Sequence, residues 1–183
     1  PYSNDGYSQV FGGETAECVC QGLLDIFEFI GGVPPLLIFD NATGVGRRIG
    51  DMIHETELFS RFRAHYHFRV RFCNPYSGWE KGNVENKVGY SRRNFLVPPP
   101  RFMELSEYNH RLLAEADSDM DREHYHYDQT ILERFGEDKK ALLPLPDVAF
   151  DPARYETVFT DKWGRFTLEK GKHEYSVSPD HVC

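Results

Sequence analysis

Four apolar residues in a row, Leu36-Leu37-Ile38-Phe39, run without alternation from Val33-Pro34-Pro35 to Asp40-Asn41. A run this short, bounded by turn formers, predicts a strand buried on both faces, as in sheets covered by helices. The flanks agree. Upstream, Thr15 is the expected N-cap of a helix in which Ala16, Val19, Cys20, Leu23, Leu24, Phe27 and Ile30 recur at three-to-four spacing, with Gly31-Gly32 as its stop. Before it, Tyr7 to Phe11 reads as the end of a strand entering a Gly12-Gly13 turn. Downstream, a helix is expected across His54 to Tyr66, with Leu58, Phe59 and Phe62 on one face. Phe68 to Cys73 alternates apolar and basic residues like an outer strand, and a helix from about Gly82 to Phe95 follows the Asn74 to Gly78 loop, closed by Pro98-Pro99-Pro100. This alternation of strands and helices implies an α/β layer with a mostly parallel sheet.

Beyond the prolines, Leu105 to Ala116 and Thr130 to Phe135 are helical stretches, and Leu142 to Pro146 reads as an extended linker. Short strands are expected at Val158 to Thr160, at Arg165 to Glu169 and, after a Lys170-Gly171 turn, at His173 to Val177. With 183 residues, 40% of them hydrophobic, the chain can bury one core and a small appendage, not two full domains. No apolar run approaches the roughly 20 residues a membrane span needs. Cys18, Cys20, Cys73 and Cys183 fall in no paired metal spacing, and no signal-peptide pattern is present, so a reducing cytoplasm without disulfides is the expectation.

The net charge of -8 argues against an anionic partner only until its distribution is followed. Residues 1–41 hold six acids and no Lys or Arg; residues 42–101 hold eleven bases and five acids. Residues 102–157 swing back, with 14 acids against six bases. Charge acts over about a Debye length, so the middle block can meet an anionic partner whatever the total.

In α/β sheets functional groups gather beyond the carboxyl ends of the strands, where Asp40 stands. A carboxylate there could simply cap a turn. A second constellation gives it company: Asn74-Pro75, then Trp79-Glu80-Lys81-Gly82-Asn83-Val84-Glu85-Asn86 on the following helix, where Lys81, Glu85 and Arg92 share one face. That face could be an ordinary salt-bridged surface. It could also serve a metal pair, because carboxylates converging from different elements repel unless a divalent cation joins them, and hard oxygen donors suit Mg²⁺ or Mn²⁺. Two such ions activate an attacking hydroxyl and stabilise the leaving oxygen in phosphoryl transfer.

Taken together, Gly31-Gly32-Val33-Pro34 before Leu37-Ile38-Phe39-Asp40-Asn41, then Arg71-Phe72-Cys73-Asn74-Pro75, then Trp79 to Tyr90 and Arg92-Arg93-Asn94 resemble the integrase core of IstA-type bacterial insertion-sequence transposases. The resemblance covers nearly the whole chain. It implies an RNase H-like catalytic core, N-terminally incomplete, over residues 1–101, a helical and extended linker over 102–147, and the start of a small β-barrel-like domain over 148–183. It also implies a DDE triad that cleaves DNA 3′ ends and transfers them with two Mg²⁺ or Mn²⁺ ions and no covalent protein intermediate. Asp40 corresponds to the second acid and Glu85 to the third, with 44 residues between them. Glu80 competes, but Glu85 is preferred because it follows Gly-x-Val, here Gly82-Asn83-Val84. The first acid has no counterpart: Asp5 sits in a Ser-Asn-Asp-Gly turn, so the chain reads as a fragment that is inactive alone. The implied partners are element ends and target DNA, an AAA+ helper ATPase and further copies of the transposase, in the bacterial cytoplasm at the nucleoid.

The DNA-binding candidates are Arg47 and Arg48 in a flexible loop, Trp79 as a base-stacking platform, and Lys81, Lys87, Arg92 and Arg93 on the helix. Core packing for Trp79 and a solvated loop for the arginines are the plainer alternatives. His65 and His67, like His124 and His126, are spaced by two without a cysteine partner and read as polar surface rather than zinc ligands. The rival to an active transposase is a decayed DNA-binding or assembly module that keeps only the basic face.

Overall fold

The computed structural model describes residues 2–40, 44–49, 52–73, 78–168 and 173–178. Two compact units divide at residues 152 and 153. In the first, helix α1 spans Ala16–Ile30 with Thr15 as N-cap, its hydroxyl accepting from the Cys18 amide. Gly31 ends α1 in the left-handed region at φ 77°, where a Cβ would be strained, and its amide returns to the Phe27 and Glu28 carbonyls. Strand β1, Leu36–Phe39, then pairs in parallel with β4, Arg69–Phe72, in the register Leu36 to Arg69 and Phe39 to Phe72.

Three expectations change here. β1 is not buried on both faces: Leu37 and Phe39 pack inward while Leu36 and Ile38 are 39% and 48% exposed, because the described residues place helices on one side only. The helix expected from His54 begins later, as α2 over Glu57–Tyr66, because Thr56 caps it by accepting from the Phe59 amide. His54 belongs instead to β3, Met52–Glu55, antiparallel to β2, Gly46–Ile49. Arg47 and Arg48 therefore lie in a paired strand rather than a flexible loop.

The mostly parallel sheet also gives way. Among the described residues β1 and β4 are the parallel pair, and the other two pairs are antiparallel, so the class is mixed α/β. Between β3 and β4, α2 delivers Phe59, Phe62 and Tyr66 against Phe27 of α1 and Phe68, with ring centroids 4.7 to 6.1 Å apart. All five rings are buried. Fully burying one such ring contributes about 1.5–3 kcal/mol, so this aromatic cluster holds α1, α2 and the β1–β4 pair together.

Helix α3 spans Gly78–Phe95, four residues longer at its start than expected; α4 spans Leu105–Ser118, a 3₁₀ turn Asp119–Asp121, and α5 Ile131–Lys139. A full capping box starts α5: Thr130 accepts from the Glu133 amide, and Glu133 accepts from the Thr130 amide. Thr130→Ala should therefore lower stability by about 1 kcal/mol, read from denaturant midpoints. Leu143, in the extended stretch, exchanges backbone hydrogen bonds with Val33, and it and Leu145 pack on the main core.

The segment before α1 is not a strand. Its backbone groups are taken up by side chains from far along the chain: Arg134 donates twice to the Tyr2 carbonyl, Asp138 accepts from the Ser3 amide, and the Asn109 side-chain amide bonds both backbone groups of Val10. Asn109 thus does for Val10 what a neighbouring strand would do. Within this strap Asp5 is partly buried, and desolvation raises its pKa above the 3.8 of a free carboxyl. A raised carboxyl pKa means the folded state favours the protonated form, so stability falls as pH rises through the folded value. Asp5→Asn should melt higher than the parent at neutral pH, with the advantage shrinking as pH falls toward 3.8.

In the second unit, β5, Arg165–Leu168, and β6, His173–Ser176, form an antiparallel pair with Phe166 stacked on Tyr175 at 5.6 Å. Asp161 accepts from the amides of Trp163 and Arg165 and from the Arg165 guanidinium, and the backbone amide of Arg165 leads the interactions that hold its carboxyl below the usual range. Val158 to Thr160 forms no strand, and the expected Lys170-Gly171 turn lies outside the described residues.

Candidate active site

Parallel pairing decides what β1 and β4 present together. With Phe39 opposite Phe72, and the Cys73 amide donating to the Phe39 carbonyl at 2.9 Å, both strands end at one edge of the sheet. Asp40 leaves from that edge, exposed, and α3, which carries Glu85, is the next element after β4. Asp40 also borders a cleft of about 490 Å³ whose other walls are Gln9, Phe11 and Glu14 before α1, and Cys18, Val19, Leu23 and Ile26 on it. Deeper in α1, Cys20 is fully buried and its thiol is pushed up to about 12 by desolvation, so it is an inert core group.

Along α3, residues on one stripe recur at three and four. Glu85, Val88 and Arg92 share the outward stripe, and all three are exposed, as is Arg93 beside it. The opposite stripe is turned into the protein: Ser91 is buried, and the Tyr90 hydroxyl donates to Asp119 at 2.8 Å. Lys87 belongs to this inward side. Its ammonium donates to the Asn4 carbonyl at 2.9 Å and sits 5.6 Å from the Tyr90 ring centre, and burial, then Arg122, lowers its pKa. Read from sequence as a DNA contact, Lys87 instead spends its charge inside the chain.

The expected acid face of α3 is thus present at Glu85 and Arg92. The side chains of Arg47, Arg48, Trp79, Glu80 and Lys81 lie outside the described ones, as do Asn41, Asn74 and Pro75. Of the histidines, His65 bonds the Val148 carbonyl through Nε2, and His124 accepts from the His126 amide through Nδ1, with burial and Arg134 holding its pKa low. Sequence reasoning missed Asn109 and the Gln9-to-Glu14 wall of the cleft; Asn109 meets Val10 across 99 positions, and no local pattern signals it.

As to a metal, Asp40 and Glu85 offer hard carboxylate oxygens of the kind Mg²⁺ and Mn²⁺ prefer, and both are accessible. Among the described residues no three His, Cys, Asp or Glu side chains gather. The donor chemistry fits. No described helix is long and apolar enough to cross a membrane.

The comparisons point to one class, the insertion-sequence transposases. No family model matches the chain. It is 36% identical over 133 residues to the transposase for insertion sequences IS1326/IS1353 of Pseudomonas aeruginosa, covering 68% of this chain and 25% of that protein. It is 30% identical over 173 residues to the transposase for insertion sequence element IS21 of the same species, covering 93% of this chain and 43% of that protein. A transposase of Aminobacter aminovorans is 42% identical over 86 residues, 45% of this chain and 17% of that protein. The chain is a relative of the insertion-sequence transposases, in agreement with the resemblance read from the sequence. It spans less than half the length of each of these relatives.

Proposed function

We propose that the chain is part of a DDE transposase that cuts insertion-sequence ends and joins them to target DNA, with Asp40 and Glu85 as two of its metal-holding carboxylates. The observation that carries this reading is the shared sheet edge: parallel β1 and β4 release Asp40 and the approach to α3 side by side, where α/β sheets gather functional groups. An RNase H-like core over 1–101 and a barrel-like domain beginning after 147 are consistent with the parallel β1–β4 pair and the β5–β6 pair respectively. When bound, two Mg²⁺ or Mn²⁺ ions supply activation of the attacking hydroxyl and stabilisation of the leaving oxygen. Asp40 and Glu85 would hold them, with the first acid of the triad supplied from outside these residues.

The chain's own cations handle the polymer. Arg92 and Arg93, exposed in the last turn of α3, hold phosphates beside Glu85; Arg47 and Arg48 on β2, Lys81 and the stacking surface of Trp79 extend that grip. The helper ATPase, assembly on paired ends and a place at the bacterial nucleoid belong to the same reading. Replacing Arg92 and Arg93 together by Gln should weaken DNA affinity and flatten its dependence on salt by about one logarithmic unit per lost phosphate contact. Fluorescence anisotropy across a salt series reads this directly, and an unchanged slope would return both arginines to the solvated surface.

A further inference from the structure

Lys87 and Glu85 stand two residues apart on α3, which turns them about 200° from each other. One side of the helix is therefore fastened while the other is presented. The fastening is dense for so short a stretch. Lys87 bonds the Asn4 carbonyl, Tyr90 bonds Asp119, and Arg122 binds Asp119 at 2.8 Å while lying over the Tyr90 ring at 4.7 Å. The strap end is shaped to receive the lysine. Asn4 holds the left-handed conformation at φ 58°, and a Cβ on Gly6 would lie 2.3 Å from Lys87 Cε and 3.0 Å from its Cγ. A side chain at this position would push the lysine stem aside. A left-handed residue and a closely approached glycine thus meet the lysine at one contact.

We infer that Lys87 is a positioning residue: seated against Asn4 and Gly6, it fixes the rotation of α3 about its axis and so aims Glu85. This rests on the reading of Glu85 as a metal-holding carboxylate. Lys87 needs no contact with metal or DNA for this role. Carboxylates two or three bonds from their backbone reach a shared ion only over a narrow range of helix rotation, so unseating the lysine weakens the metal site while leaving the phosphate contacts of the outward stripe in place.

The test compares Lys87→Met, Gly6→Ala and Glu85→Gln in the full-length transposase that contains these residues. Mn²⁺ binding is followed by the electron paramagnetic resonance of the free ion, and DNA binding by anisotropy against salt. Lys87→Met should raise the Mn²⁺ dissociation constant by about 10- to 100-fold, the range found when outer-shell support of a metal is lost, with an unchanged salt slope. Gly6→Ala, which touches neither ligand, should reproduce the defect by displacing the lysine stem, and it decides the matter where Lys87→Met does not fold. A salt slope lowered by about one in Lys87→Met would overturn the proposal and make Lys87 a phosphate contact. Normal Mn²⁺ binding in both variants, with Glu85→Gln impaired, would overturn it while leaving the Glu85 assignment standing. Normal Mn²⁺ binding in Glu85→Gln would remove that assignment, and this inference with it.

Discussion

On the proposed reading, Asp40→Asn and Glu85→Gln are expected to reduce strand transfer more than the 10- to 100-fold typical of losing an outer-shell partner, because each removes a ligand itself. Both substitutions keep the side chain's size and its ability to hydrogen bond while removing the charge that holds a divalent ion. Folding and DNA affinity should therefore survive. Asp40 and Glu85 are exposed, so neither substitution leaves a cavity or buries an unpaired group. Gel-resolved joining of oligonucleotide element ends in Mg²⁺ measures the effect. Glu80→Gln should remain active; the reverse result, with Glu80→Gln dead and Glu85→Gln active, would move the third acid one helical turn and more back along α3.

The largest loss of stability is expected from Phe62→Ala, about 3–5 kcal/mol. Phe62 is fully buried and meets Phe27, Tyr66, Phe68 and Phe150 at 4.7 to 5.9 Å, so truncation removes a ring from the middle of a cluster built from α1, α2, Phe68 and Phe150. Little can collapse into the space, since its neighbours are rigid rings that are themselves held. Phe150→Ala, at the edge of the cluster and partly accessible, should cost less. Urea midpoints of the two variants check the order.

What the sequence disclosed was local, and what it concealed was contact between distant residues. α1 could be read to its ends because Thr15 and Gly31 are both terminal signals and the apolar spacing between them is unbroken. β1 was legible as an element but not in its burial, since burial is decided by which faces neighbours cover and not by the run itself. The β2–β3 hairpin escaped although Gly50-Asp51 separates its two runs by the right two residues, because Gly46-Arg47-Arg48-Ile49 lacks the alternation that would mark a strand. The site divided the same way. Asp40 and Glu85 stood out through motif and position, and Arg92 through helical spacing from Glu85. The inward turn of Lys87 is not legible, because a lysine on a basic helix carries no local mark of it; its partner, the Asn4 carbonyl, lies 83 residues upstream.

On the proposed reading Asp40 and Glu85 converge on shared metal ions, and anomalous scattering from crystals grown with DNA ends and Mn²⁺ tests this. Manganese peaks ligated by both carboxylates, which then lie within about 4 to 8 Å of each other, are the expected result. Manganese bound without either residue, or the two carboxylates on opposite faces of the sheet, would contradict it.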